Sequence, residues 1–364
     1  MKEFRAKLFN GRIGILDGFR GLAIILVIAY HYSGLFSFGW IGVDLFFVLS
    51  GFLITGKLLE SAGRKNYFSS FYLKRILRIA PLYFFVLVCF FLIIPFFFHS
   101  FVSPSYAALV KQQVYYWTFT VNFYEAIHGW PDNISLVPFW SLACEMQFYL
   151  IWPLIILLIH RLKKEYLLTI LSGCILFAVL FRANGNYFGY TSIVYRYILL
   201  PSRLDAFACG ALLAVCIKNG WITQILRKGW VLSVASLSAA IIIMFHQDYL
   251  WHFGTGVVSE FGYTLNALFW TGIFASVWFA RNTCIAKIFS AKCLAVTGKY
   301  SYAMYIFHVP VKVGLMKLMK DGLLPGIPRY GIILLAVAVT FGCAVISYHL
   351  IEKRFLYLKA NLEK

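Results

Sequence analysis

An arginine and a histidine, Arg20 and His31, stand with ten residues between them in the first apolar run of the chain, from Leu16-Asp17-Gly18-Phe19-Arg20-Gly21 to Ala29-Tyr30-His31. A helix turns about 100° and rises about 1.5 Å per residue, so eleven steps return His31 to within roughly 20° of Arg20, about 16 Å further along the axis. Both side chains therefore address one partner surface. If Arg20 marks the membrane boundary, His31 falls near mid-bilayer, where a titratable side chain is costly and by default functional. A neutral imidazole there suits general-base chemistry near neutral pH. The plainer alternative is a histidine hydrogen-bonded between packed helices.

Four further places carry chemistry. Gly42-Val43-Asp44-Leu45-Phe46-Phe47-Val48-Leu49-Ser50-Gly51-Phe52 opens the next apolar run with a carboxylate, and its Ser50 and Gly51 permit close helix approach. Arg75 and Arg78 lie at i, i+3 on one helical face ahead of Ile79-Ala80-Pro81. Two guanidinium forks at a membrane surface suit a phosphate-bearing ligand, and plain anchoring to anionic lipid is the competing explanation. Phe139-Trp140-Ser141-Leu142-Ala143-Cys144-Glu145 places Glu145 early in an apolar helix, and Tyr300-Ser301-Tyr302 to His308-Val309-Pro310 supplies a second intramembrane histidine. Facing lipid, these groups would be orphaned; around one interior cavity they satisfy one another.

The elements that must position them are membrane helices. The 364 residues are 61% hydrophobic and 13% charged, with mean hydropathy +0.78, far from the soluble norm of about 25% charged. The fold class expected is an all-α polytopic membrane protein of about ten transmembrane helices, read at 20–38, 41–59, 79–98, 139–160, 166–182, 198–217, 229–246, 256–280, 301–319 and 330–350. With the N and C termini cytoplasmic, 25 of the 33 Lys and Arg fall on the inner side, a strong positive-inside asymmetry. The same count places Ala107 to Ile127 as an outer interfacial or re-entrant segment, because a crossing there would invert Arg161-Leu162-Lys163-Lys164 and each basic loop that follows. No cleavable leader, repeat or linker is read, so residues 1–364 form a single integral membrane domain.

The net charge of +19 belongs to membrane topology; no basic stripe on a soluble fold suggests nucleic acid. The eight cysteines lack metal or disulfide spacing and read as small membrane-core residues, so no metal is expected. Tyr124, His128, Trp130, Asp132, Asn133, Tyr187, Tyr190 and Tyr195 fall on the outer side, where they suit sugar stacking or interfacial anchoring.

In its ordered motifs the sequence resembles the acyltransferase-3 family, integral membrane acyltransferases that modify bacterial surface sugars and some small molecules. The resemblance runs nearly the whole length: Leu-Asp-Gly-Phe-Arg-Gly with its arginine and histidine, GVDLFFVLSGFLI, Arg75-x-x-Arg78 before Ile-x-Pro, WSLxxExQFYLxWP, Arg203-Leu204-Asp205-Ala206-Phe207-x-x-Gly210, the Tyr-Ser-Tyr to His-x-Pro segment, and Ile351-Glu352-Lys353-Arg354-Phe355. It implies a catalytic His31 with Arg20 its companion, acyl-CoA contacts at Arg75 and Arg78, and supporting acids at Asp17, Asp44 and Glu145. We group Glu145 with the catalytic pair and His308 with the supporting residues. Where the family often has two consecutive glutamates, this chain has Glu145-Met146.

The implied function is a membrane O-acyltransferase of the bacterial inner (cytoplasmic) membrane. It would move an acyl group, acetyl by expectation, from cytoplasmic acyl-CoA to a hydroxyl of a surface or lipid-linked saccharide. Acyl-CoA is then a donor substrate rather than a resident cofactor, and the partners are that donor, a saccharide or glycolipid acceptor and membrane lipids. His31 would act as general base or through an acyl-histidine relay. The rise of about 16 Å from Arg20 favours a CoA-phosphate role for the arginine. Intramembrane charges also mark proton-coupled transporters and flippases of polysaccharide precursors; the sequence shows no inverted repeat or paired broken helices of that kind.

Overall fold

The computed structural model describes residues 13–361 apart from 35, 99–101, 189–192, 222, 248–251, 253, 255, 280–283 and 325. The basic leader up to Arg12 and Tyr190 lie outside the described residues. Among these residues all regular structure is helical. Ten long helices follow in order: α1 Ile13–Ser33, α2 Ile41–Ser61, α3 Tyr67–Val88, α4 Phe139–Ile159, α5 Lys164–Ala183, α6 Leu200–Asn219, α7 Gly229–Gln247, α8 Tyr263–Phe279, α9 Lys292–Lys320 and α10 Arg329–Ser347.

Helices thus occur at all ten expected places, and seven helical stretches are long and apolar enough to cross a membrane by composition and length: Gly14–Ser33, Ile41–Ser61, Tyr67–Phe97, Phe139–Ile159, Glu165–Ala183, Tyr195–Asn219 and Arg329–Leu358. The others differ for identifiable reasons. α7 has a shorter apolar stretch, Gly229–Phe245; α8 is preceded by a π-helical turn at Val258–Gly262; α9 carries lysines toward both ends. Ala107 to Ile127 forms no long helix. It lies across three short ones, Pro104–Lys111, Gln113–Trp117 and Val121–His128. Eight residues of helix rise only about 12 Å, too little for a hydrocarbon core of about 30 Å.

α2 and α6 are mostly buried, while α5 and α10 leave most of their apolar surface open, as lipid-facing helices do. Two backbone contacts fix the centre. A Cβ on Gly21 would lie 2.2 Å from the Leu294 carbonyl oxygen, and one on Gly298 would lie 1.7 Å from that of Asp17. α1 and α9 therefore touch backbone to backbone, as membrane helices do where small residues meet. Gly51 and Gly210 do the same for α2 and α6: added Cβ atoms would lie 2.0 Å from the Phe207 and Val48 carbonyl oxygens respectively.

Of the outer aromatics, Tyr187 is largely exposed and Tyr124 stacks on His128 with centroids 4.2 Å apart. Tyr195 is instead a buried residue whose hydroxyl donates to the Arg182 carbonyl at 2.6 Å, so it is unavailable to a sugar.

The charge asymmetry makes a topological prediction. In a background lacking native cysteines, an impermeant thiol reagent applied from outside should label cysteines placed at Asp132 and Tyr187 and leave those at Arg64, Lys163 and Lys292 untouched. External labelling at Lys163 with protection at Tyr187 would invert every helix after residue 127.

Candidate functional site

α1, α2, α3, α4 and α9 enclose a cleft of about 780 Å³, measured to its open mouth. Arg20, Arg75 and Arg78 line it together with Glu145, Ser50 and Tyr149, while Ser141, Tyr302 and Tyr305 line it with apolar Val43, Phe46, Phe47, Leu49 and Leu53. Along α2 the lining runs from Val43 to Ile54, about 16 Å of helix rise. Four of the positions expected from sequence, Arg20, Arg75, Arg78 and Glu145, are thereby brought into one space.

Each has a defined setting. Arg20 forms an ion pair with Asp17 one turn back, 2.8 Å between Nη1 and Oδ1. α1 starts seven residues before Arg20, at Ile13, and the aspartate supplies the partner that a guanidinium in an apolar helix requires. His31 lies in the last turn of α1. Arg75 is buried against Phe71 and Tyr149, its guanidinium carbon 5.7 and 5.6 Å from their ring centroids, and its Nε has no hydrogen-bond partner among the described residues. Glu145 accepts from the Ser50 hydroxyl at 2.5 Å and from the Tyr149 hydroxyl on the same oxygen, Oε1.

His31 does not itself line the cleft. Its Nδ1 lies 2.9 Å from the Val27 carbonyl oxygen; a carbonyl only accepts, so Nδ1 carries the proton and Nε2 the lone pair. The ring packs edge-on to His308, centroids 4.8 Å apart. His308 is one turn from Tyr305, at the cleft wall, whose hydroxyl is hydrogen-bonded to Ser141 at 2.5 Å. A continuous line of side chains thus leads from the three arginines to His31.

Asp44 is not in the cleft. It forms a fully buried ion pair with Arg203 and accepts from Asn266 Nδ2 at 3.1 Å, while Arg203 lies 4.3 Å over the Tyr263 ring. Beside it, Arg182 pairs with Asp205 at 2.9 Å, also fully buried, and Thr264 donates to the same carboxylate at 2.5 Å. These pairings were missed from sequence, although the expense of an unpaired membrane charge was the available signal. Tyr305, Ser141 and Tyr149 were missed because neutral hydroxyls carry no such signal.

Glu125, on the short helix Val121–His128, was also missed. Both its carboxyl oxygens are buried without a hydrogen-bond partner among the described residues, and burial pushes its pKa well above the usual carboxylate range. Burial thus favours its protonated form.

No solved structure matches the chain. The curated relatives include the O-acetyltransferase OatA of Staphylococcus aureus, 28% identical over 96% of this chain and 59% of that protein, and the peptidoglycan O-acetyltransferase OatA of Listeria monocytogenes, 32% identical over 93% of this chain and 54% of that protein. The chain spans a little over half the length of these relatives. An all-helical membrane fold enclosing an arginine-lined cleft is the class of protein that the architecture defines. More narrowly, residues 13–349 match the acyltransferase domain of the acyltransferase-3 family, and the chain belongs to that family.

Two stability predictions follow from the buried charges. Arg203→Met leaves Asp44 as an unpaired charge and should cost about 3–5 kcal/mol, read as loss of monodisperse protein on thermal challenge in detergent. A neutral buried Glu125 binds its proton more tightly folded than unfolded, so it lowers stability as pH rises above the ordinary carboxylate range. Glu125→Gln, always neutral, should therefore raise the melting temperature at pH 8 more than at pH 5. A lower melting temperature at pH 8 would mean that the carboxylate is ionised and paired.

Proposed function

We propose that the chain is a membrane O-acetyltransferase that moves the acetyl group of acetyl-CoA to a saccharide hydroxyl. The observation that carries this reading is the line of side chains from Arg20, Arg75 and Arg78, along one cleft, to a histidine whose Nε2 is free to take a proton. The family membership and the names of the two relatives agree with it.

Three guanidinium groups suit the phosphates of CoA. Arg20 and His31 are about 16 Å apart along α1, and an extended pantetheine arm is a chain of the right kind to carry an acyl group from the arginines along the cleft toward Tyr305, beyond which His308 and His31 lie. The acceptor hydroxyl then lies against His31 Nε2. As that nitrogen takes the hydroxyl proton, the oxygen attacks the thioester carbonyl, the C–S bond breaks, and the proton passes to the sulfur of the leaving CoA. Glu145 orients Ser50 and Tyr149 at the cleft wall, and Tyr149 packs on Arg75, so its role is to set the donor site. With the basic loops cytoplasmic, the donor would enter from inside and the acceptor would meet His31 at the outer end of α1; the charge asymmetry supports a cytoplasmic-membrane location.

The names of these relatives specify O-acetylation, in the Listeria protein that of peptidoglycan; we extend to this chain a cell-envelope glycan as acceptor. A transporter reading gains no support from the buried acids Asp44 and Asp205, since each is committed to an arginine.

Purified protein in detergent or proteoliposomes should release CoA from acetyl-CoA when given glycan acceptor. His31→Ala should lower turnover by about 10²–10⁴-fold with normal expression and melting temperature; near-normal turnover would remove His31 from the mechanism. Arg75→Ala and Arg78→Ala should raise KM for acetyl-CoA, and the wild-type advantage should shrink as salt rises. Unchanged KM in both variants would return the pair to lipid anchoring.

A further inference from the structure

The last of the sequence motifs, Ile351-Glu352-Lys353-Arg354-Phe355, carries a carboxylate that lies inside the protein. α10 does not run into it as regular helix: Tyr348–Glu352 is a π-helical turn, a rare widening that recurs at functional sites. That turn and the helix after it, Lys353–Asn361, both pack against α3, the helix bearing Arg75 and Arg78. Glu352 is buried there, and its Oε1 has no hydrogen-bond partner among the described residues. A buried carboxylate is costly unless a cation answers it.

Arg78 is that cation. Its charge acts on Glu352 from α3, and Tyr302, whose hydroxyl donates to the Ile79 carbonyl at 2.7 Å, lies in the field of both. Arg78 and Tyr302 line the cleft and Glu352 does not, so the carboxylate stands behind the cleft wall. The other two cleft arginines have acids of their own. Arg20 is bonded to Asp17 at 2.8 Å, and Arg75 lies in the field of Glu145. Arg78 in turn repels both Arg20 and Arg75, so without an acid the third guanidinium would be driven toward the open mouth. Among the described residues Arg78 and Glu352 form no direct ion pair. The attraction therefore aims the guanidinium while leaving its N–H groups to a phosphate.

We propose that Glu352 is a positioning residue for Arg78, holding that guanidinium in the cleft where it meets a phosphate of the acyl donor. This rests on the donor being acetyl-CoA. Glu352 touches neither donor nor acceptor, and no bond to it forms or breaks. Its effect is confined to the phosphate-bearing end of the donor, so it changes donor affinity rather than the chemical step. The C-terminal turn thereby becomes part of the donor site, because the acid reaches Arg78 only with that turn seated on α3.

Glu352→Gln keeps the shape of the side chain and removes its charge. In purified protein it should raise KM for acetyl-CoA about 10-fold, the loss of one screened Coulomb attraction, with the larger part of the defect in KM rather than kcat. In an Arg78→Ala background Glu352→Gln should add nothing further, since the partner it acts through is gone. S-acetylpantetheine carries the same thioester arm without phosphate, and its KM should not distinguish Glu352→Gln from wild type. A fall in KM for acetyl-CoA would mean that the carboxylate merely repels phosphate and would overturn the proposal, as would an equal rise with S-acetylpantetheine or in the Arg78→Ala background. If Glu352→Gln does not fold, combining it with Arg78→Gln removes the stranded cation along with its acid and should restore monodisperse protein; failure of that double variant overturns the pairing. A raised KM in Arg78→Ala with none in Glu352→Gln overturns this inference alone. Unchanged KM in Arg78→Ala removes the donor-site reading, and this inference with it.

Discussion

The backbone contact between α1 and α9 is the constraint on which the site depends. Gly21 and Gly298 leave no room for a side chain between the helices, and in a membrane, where lipid is as apolar as leucine, such close approach is what holds two helices in one register. Fixing that register fixes both ends of the site. Arg20 is carried into the cleft beside Tyr302 and Tyr305, and eleven residues later His31 arrives against His308. A bulkier residue at either glycine would separate the helices along their whole length, so the histidine contact would be lost along with the arginine's place in the cleft.

Charge inside the protein falls into two classes that differ in their partners. Arg203 with Asp44, and Arg182 with Asp205, are closed pairs with no exposed side-chain surface. They join α2 to α6 and α5 to α6, and α8 supplies Asn266 and Thr264 to the same carboxylates. Breaking one partner of such a pair is expensive, which makes them cement rather than chemistry. The cleft arginines are different. Arg20 has its intrahelical aspartate, while Arg75 has aromatic rings and an unsatisfied Nε. An incompletely satisfied guanidinium beside two others is a poor structural element and a good receptor for phosphate oxygens.

Much of this was legible in the sequence because membrane burial makes polar residues conspicuous. Arg20 and His31 share a helical face by spacing alone, and the ordered motifs supplied Arg75, Arg78 and Glu145, all three of which line the cleft. The partner of Arg20 was not read, although Asp17 stands three residues earlier, one helical turn away. The Ser141 to Tyr305 hydrogen bond joins residues 164 apart and leaves no periodic trace. The α1 glycines were visible as letters; that Gly18 meets Phe289 and Gly298 meets Asp17 is a property of the packing alone.

The outer end of α1 shows why the histidine can sit in a last turn without fraying. The final carbonyls of a helix lack intrahelical donors, and in an apolar setting each orphan is costly. Here the ammonium of Lys312 meets the His31 carbonyl and the guanidinium of Arg329 meets that of Ser33 at 3.2 Å. Both are cations at the negative end of the helix dipole, where they are favoured. Their place is set by the carbonyls of the last turn of α1, so the same contacts that satisfy the helix end hold His31 beside His308.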